Sequence, residues 1–184
     1  MEYKLTDKNI TAILQNIVIL VDSRENQWQG IERYFQSKNI PYLVQKLDYG
    51  DYSCCIRACP EFGVAKDIDF SDLISVERKN SINEISSNIS KERERFEREL
   101  ERGKKSRFIL MIEESQGYEK IINHQYDTQM SEKSFLATLF TFGHRYNVDI
   151  NFIEKKYAGL FIYHQLFYFV RNYLKGGDLN VWKL

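Results

Sequence analysis

Proline is nearly missing from this chain, with two in 184 residues, and glycine is scarce at nine. That scarcity excludes collagen-like repeats and flexible Gly- or Pro-rich linkers, and no internal repeat or low-complexity stretch is visible. Excess charge is missing too. Lys+Arg and Asp+Glu both number 26. A neutral sum leaves a nucleic-acid partner open, because local patches decide that binding. Cysteine is limited to Cys54, Cys55 and Cys59. An odd count without a fourth ligand nearby makes a poor zinc site. These residues read as reduced, half-buried thiols of a cytosolic protein, with a composite site involving the distant His124, His144 and His164 left open. A signal peptide is also lacking, since Met1-Glu2-Tyr3-Lys4 leads into polar sequence. The nearest thing to a membrane span is Tyr157 to Leu174, but it holds His164, Gln165, Arg171 and Asn172. Such residues are expensive in lipid, so a buried amphipathic helix is expected there, with no membrane partner.

What is present is apolar and aromatic: 43% hydrophobic residues, 14% aromatic. That is enough for one domain with a real core. A single domain over 1–184 is expected, with its core over about 17–175. The first fifteen residues carry no clear periodicity. Ile17 to Val21 is a β-branched run that predicts a strand buried on both faces. Further strands are predicted over Tyr42–Leu47, Tyr52–Arg57, Leu73–Glu77, Phe108–Ile112 and Val148–Ile153. Helices are predicted over Trp28–Lys38, around Ile82, Ile85 and Ile89, and over Lys91–Arg102, where Gly103 is expected as a C-cap. Two more are expected after an N-capping Ser131 and over Tyr157–Lys175, the last closed by Gly176-Gly177. Strands interleaved with helices predict a three-layer α/β domain, a central mixed sheet flanked by helices.

Acidic residues recur where these strands end. Asp22 ends the first strand and Glu25 follows it; Asp51 follows Gly50 at the start of another; Glu77 ends a third. A carboxylate at the rim of a core strand is costly unless it is hydrated, paired or bound to a cation. Converging carboxylates suit a hard cation such as Mg²⁺. Glu77 and Lys79 are two apart, so on a strand they share a face while Arg78 takes the other. A metal ligand beside an ammonium suits phosphodiester hydrolysis. Taken alone, Glu77-Arg78-Lys79 also fits a charged edge strand.

Val21-Asp22-Ser23-Arg24-Glu25, Gly50-Asp51-Tyr52, Val76-Glu77-Arg78-Lys79 and Ile109 to Glu113 together resemble the nuclease domain of the XPF/Mus81-type structure-specific endonucleases, the ERCC4-domain family. Its pattern is V-D-x-R-E, then G-D, then E-R-K-x-x-x-D, then an apolar strand ending in Glu. The resemblance implies a restriction-endonuclease-like fold and a DNA endonuclease dependent on Mg²⁺ or Mn²⁺, acting on branched, flapped or single-stranded DNA. It implies Asp51 and Glu77 as metal ligands, Asp22 and Glu25 lining the same site, Lys79 as the catalytic lysine, and Arg78 and Arg24 in support. One position departs: Asn83 stands where the pattern has its last Asp, and Glu84 follows it. The alternative is therefore a weak or inactive DNA-binding partner subunit. No helix-hairpin-helix module follows, so the likeness is to small stand-alone members from bacteria and phages, in a cytoplasm. Arg93, Arg102, Lys104, Lys105 and Ser86 are candidate DNA contacts. The aromatic helix at the C-terminal end is a candidate homodimer surface.

Overall fold

The computed structural model describes residues 5–176. Seven strands form one mixed sheet: β1 (Ile17–Asp22), β2 (Tyr42–Gln45), β3 (Tyr52–Ile56), β4 (Ile68–Asp69), β5 (Ile74–Lys79), β6 (Arg107–Glu113) and β7 (Val148–Ile153). Their order is β2-β1-β3-β5-β6-β7, with β4 beside β3. β1 and β2 are parallel, β3 is antiparallel to both β1 and β5, and β5, β6 and β7 are parallel. Five strands therefore end at one edge of the sheet, the edge where β3 begins. In α/β sheets the carboxyl edge is the usual place for a ligand.

Period-two alternation divides the core into two layers. In β6, Ile109 and Met111 face one side with Ile19, Val21, Val76, Phe35, Ile162 and Leu166. Phe108, Leu110 and Ile112 face the other, with Ile85, Phe96, Leu100, Phe135 and Phe142. The first layer packs under α1 (Asp7–Leu14), α2 (Gln29–Ser37) and α7 (Ala158–Lys175). The second packs under α3 (Ile82–Ser90), α4 (Arg93–Gly103), α5 (Gly117–Ile122) and α6 (Glu132–Tyr146). This is the expected three-layer mixed α/β fold, restriction-endonuclease-like in architecture.

Several local expectations change. The folded body starts before residue 17: Thr6 caps α1 by accepting from the Asn9 N–H, and Ile10, Ile13 and Leu14 are buried. Gly103 is the last residue of α4 and not a left-handed cap; it is small because the Phe108 ring lies against it. Gly176 follows α7 in right-handed conformation, and Gly177 lies outside the described residues. β5 runs two residues past Glu77 to include Arg78 and Lys79. The three cysteines are free and buried outright rather than half-buried. Ser131 caps α6 as expected, accepting from the Ser134 N–H. Among the described residues no helix is long and apolar enough to cross a membrane.

Candidate active site

The ends of β1 and β5 and the start of β3 bring the charged motifs together. Gly50 makes this possible. It sits at φ +69°, and a Cβ there would lie 2.8 Å from the Ser75 Cβ. Only glycine turns the chain so tightly against β5, and the next residue is Asp51. Backbone bonds then fix Asp51, whose N–H donates to the Val76 carbonyl (2.9 Å) and whose carbonyl accepts from the Asp22 N–H (2.8 Å).

Asp51 Oδ2 accepts from the backbone N–H of Arg78 at 2.8 Å. Glu77 is 4% exposed; its Oε1 lies 2.5 Å from Lys79 Nζ, and its buried Oε2 has no hydrogen-bond partner. Burial, joined by the neighbouring Asp51 charge, pushes the Glu77 carboxyl well above the usual carboxylate range. Burial raises Asp51 to about 7, against the pull of the Arg78 N–H and the Lys79 charge. Lys79 is opposed by burial, yet the Glu77 carboxylate holds its pKa above the ordinary lysine value, so the ammonium keeps its proton. Its Nζ lies 5.0 Å from the centre of the Phe96 ring. Arg78 points to the opposite face, as strand alternation requires. There it makes a two-pronged bond to Glu113 (2.7 and 3.0 Å) and a longer contact to Glu25 (3.4 Å). Its guanidinium is spent on carboxylates rather than turned to solvent.

Asp22 lies beside this group but is otherwise engaged. Each oxygen accepts two hydrogen bonds: Oδ1 from the Arg24 N–H and Nε, Oδ2 from Arg24 Nη2 and the Leu47 N–H, all between 2.7 and 2.8 Å. Burial opposes ionisation here, but these donors hold its carboxyl below the usual range. Arg24 Nη2 also donates to the Leu47 carbonyl. Glu25 accepts from the Gln27 N–H at 2.8 Å. A polar cleft of about 280 Å³ opens over Arg24, Glu25, Asp51, Glu77, Lys79 and Glu84.

Asn83 lies apart from that cleft. It is exposed, and its side-chain amide donates to Asp127 Oδ2 and accepts from the Asp127 N–H. Glu84 is the residue that reaches the cleft. Ser81 caps α3 by accepting from the Glu84 N–H, and Glu84 Oε2 returns to the Asn80 N–H, while Oε1 stands 3.9 Å from Lys79. This is close to the reciprocal capping pattern of Ser-x-x-Glu.

The candidate DNA contacts separate. Ser86 is 0% exposed and donates to the Asn83 carbonyl, so it cannot meet a phosphate. Arg93 bonds Glu97 and covers the Phe142 ring; Lys104 stands 3.4 Å from Glu101; Arg102 and Lys105 are exposed. Two residues that shape the site were given no role by the sequence, although Glu113 closes its last motif. Glu113 anchors Arg78, and its signal was a carboxylate ending an apolar strand. Glu99 acts electrostatically on Asp51, Glu77, Lys79 and Arg24. Its signal, three residues after Phe96, is lost in a run of alternating charges.

Among the described residues no three His, Cys, Asp or Glu side chains form a closed ligand set for a metal ion. Asp51 and Glu77 nonetheless fit a hard cation. They are adjacent carboxyls whose charged forms burial disfavours until a cation answers them, and one has an oxygen lacking any donor. Mg²⁺ commonly takes one or two carboxylates and keeps several waters.

Among curated proteins, no match is found. Two solved structures share the fold. XPF from Aeropyrum pernix is 18% identical with a TM-score of 0.57, covering 81% of this chain and 59% of that one. XPF from Aeropyrum pernix in complex with DNA is 18% identical with a TM-score of 0.59, covering 84% and 65%. The chain thus spans less than two-thirds of the length of either. The family model of the ERCC4 domain matches residues 21–164, from the start of the Val21-Asp22 motif into α7. That span holds every motif brought to the cleft, and the chain belongs to the ERCC4 domain family.

Proposed function

We propose that this chain is a DNA endonuclease dependent on Mg²⁺ or Mn²⁺, hydrolysing phosphodiester bonds in branched, flapped or single-stranded DNA. The observation that carries this reading is the buried Glu77 Oε2, left without a donor beside Asp51 in a cleft open to solvent. Burial and the neighbouring Asp51 disfavour the charged form of Glu77 in the metal-free protein, and a divalent cation would answer that charge. ERCC4 family membership and the fold shared with an XPF solved on DNA support the same reading.

Asp51 and Glu77 would hold the ion. When bound, it would polarise the phosphoryl oxygen and acidify a coordinated water. Lys79 keeps its proton and presents a fixed charge to the phosphate as negative charge grows on it. Arg78 acts through its backbone, aiming an N–H at Asp51 while Glu113 locks its side chain. Asn83, turned to Asp127 outside the cleft, leaves this set unchanged. We also propose a homodimer through the face bearing Tyr157, Leu160, His164 and Tyr168, which are exposed.

The test is a panel of forks, flaps, junctions and single strands incubated with Mg²⁺, Mn²⁺ or EDTA. Cleavage should vanish in EDTA and in Glu77→Gln and Lys79→Ala. DNA binding without cleavage in either metal would instead assign a non-catalytic partner subunit.

A further inference from the structure

We infer that the DNA strand flanking the scissile phosphate lies in a second cleft, between the start of α2 and the Lys155–Tyr157 turn that leads into α7. This rests on the nuclease reading above and names where that substrate sits. The cleft measures about 530 Å³ and is lined by Trp28, Arg33, Lys155 and Lys156 among others. It adjoins the catalytic cleft, because Gln27 and Arg78 line both.

The two clefts differ in charge. The catalytic one sets three cations (Arg24, Arg78, Lys79) against four carboxylates (Glu25, Asp51, Glu77, Glu84), a balance that suits a metal ion. The second sets four cations (Arg33, Arg78, Lys155, Lys156) against two carboxylates (Glu113, Glu154), a balance that suits a polyanion. Glu113 is occupied by Arg78 and Glu154 by Lys156 (2.8 Å). Lys155 is 76% exposed and reaches Glu113 only at 3.9 Å. Arg33 is exposed, with its Nε on the Gln29 carbonyl. In a molecule of zero net charge such local asymmetry directs a phosphate backbone.

Backbone adds to this field. The first turns of α2 and α7 line the cleft through Gly30, Ile31 and Gly159, and neither helix start has a side-chain cap. The Ile31 N–H is taken by the Trp28 carbonyl and the Ala158 N–H by the Lys155 carbonyl, so it is the helix dipoles that favour negative charge there. Trp28, half-buried and packed edge-on against Tyr42, offers an aromatic surface to a base. On the α4 segment, by contrast, Arg93, Arg95 and Lys104 each face a carboxylate of their own segment at 3.4 Å or less.

The experiment measures binding of a fluorescent single-stranded DNA in EDTA, where cleavage is stopped, across a range of KCl concentrations. It compares the intact chain with Lys155→Ala/Lys156→Ala and with Lys104→Ala/Lys105→Ala. Lys155 has no close carboxylate while Lys156 is held by Glu154, so the slope of log affinity against log salt should fall by about 0.7, the value for one contact on a single strand. The Lys104→Ala/Lys105→Ala slope should not move. Mn²⁺ affinity of Lys155→Ala/Lys156→Ala, read by calorimetry, should equal that of the intact chain, and its melting curve should show that it folds. An unchanged slope in Lys155→Ala/Lys156→Ala overturns this path, as does a loss confined to Lys104→Ala/Lys105→Ala. A chain that binds no DNA even at low salt overturns the nuclease reading along with it.

Discussion

Asp22 shows how much a residue's role depends on what already touches it. Its position in the Val-Asp-x-Arg-Glu motif suggests a metal ligand, but four donors saturate its two oxygens. Its carboxylate ties Arg24 to Leu47, and its N–H ties β1 to the Asp51 carbonyl. The expectation is that Asp22 and Arg24 act on the metal as one clamp. Asp22→Asn and Arg24→Ala should each weaken Mn²⁺ binding by about tenfold, the order seen when outer partners of a metal site are lost. The double variant should be no worse than the poorer single one. Calorimetry decides: if Asp22 ligates the ion itself, Arg24→Ala frees it, and affinity holds or rises.

Asp51 gives the pH dependence. Its folded pKa, raised to about 7 chiefly by burial, lies above that of the unfolded chain. The metal-free folded protein therefore binds a proton that the unfolded chain releases, and stability falls as pH rises between about 4 and 7. Asp51→Asn should then raise the melting temperature at pH 8. Relief equal to one pKa unit is about 1.4 kcal/mol, or roughly 3 °C in a domain of this size. Protons also compete with the cation, so apparent Mn²⁺ affinity should drop as pH falls below about 7 in the intact chain. A flat profile between pH 5.5 and 8 would contradict the assignment of Asp51 to the ion.

At the scale of elements, two glycines carry different loads. Gly50 sits at positive φ with Ser75 behind it, immediately before Asp51. Gly50→Ala should cost about 1–3 kcal/mol in strain and should weaken metal binding as well, because the displaced residue is a proposed ligand. Gly103 has ordinary helical backbone, and alanine there should gain about 1 kcal/mol of helix propensity. A Cβ at that position would lie 2.2 Å from the Phe108 ring, and overpacking of this kind costs about 1–3 kcal/mol. Urea denaturation should show Gly103→Ala less stable than the parent, with Mn²⁺ affinity retained.

Strands were the legible part of the sequence, because β-branched runs such as Ile17 to Val21 have one low-energy use in a buried sheet. The sequence ends β5 at Glu77 yet reads Glu77, Arg78 and Lys79 in strand alternation, and only the fold shows how Glu113 and Glu77 answer charges inside a central strand. Helix α1 escaped although Ile10, Ile13 and Leu14 have helical spacing; eight residues give a short period that polar neighbours obscure. Gly103 was misread because a glycine after a charged helix signals a left-handed end, and only the folded chain reveals the ring beside it.

For the molecule as a whole, exposed apolar groups lie on the α7 side (Tyr157, Leu160, Tyr168) and on α5 and α6 (Tyr118, Ile122, Phe140). His164 and Tyr168 stack on each other in the open (5.7 Å between centroids). Pairing two copies there should be visible in sedimentation, and Tyr168→Glu should shift a dimer to monomer without altering the melting curve of the domain. A monomer at high protein concentration removes the homodimer.

By itself the sequence named Asp22, Glu25, Asp51, Glu77 and Lys79 as candidates that gather where strands end. Ordered motifs and period-two alternation are local properties, written in spacing. Tertiary structure alone decided how each charge is used. It spent Arg78 on Glu113, saturated Asp22 with Arg24 and Leu47, turned Asn83 to Asp127, buried Ser86, and left Glu77 with an oxygen unanswered. The physical reason is that a carboxylate's chemistry depends on burial and on the donors around it. In this chain those donors come from residues as far as 53 positions away in sequence.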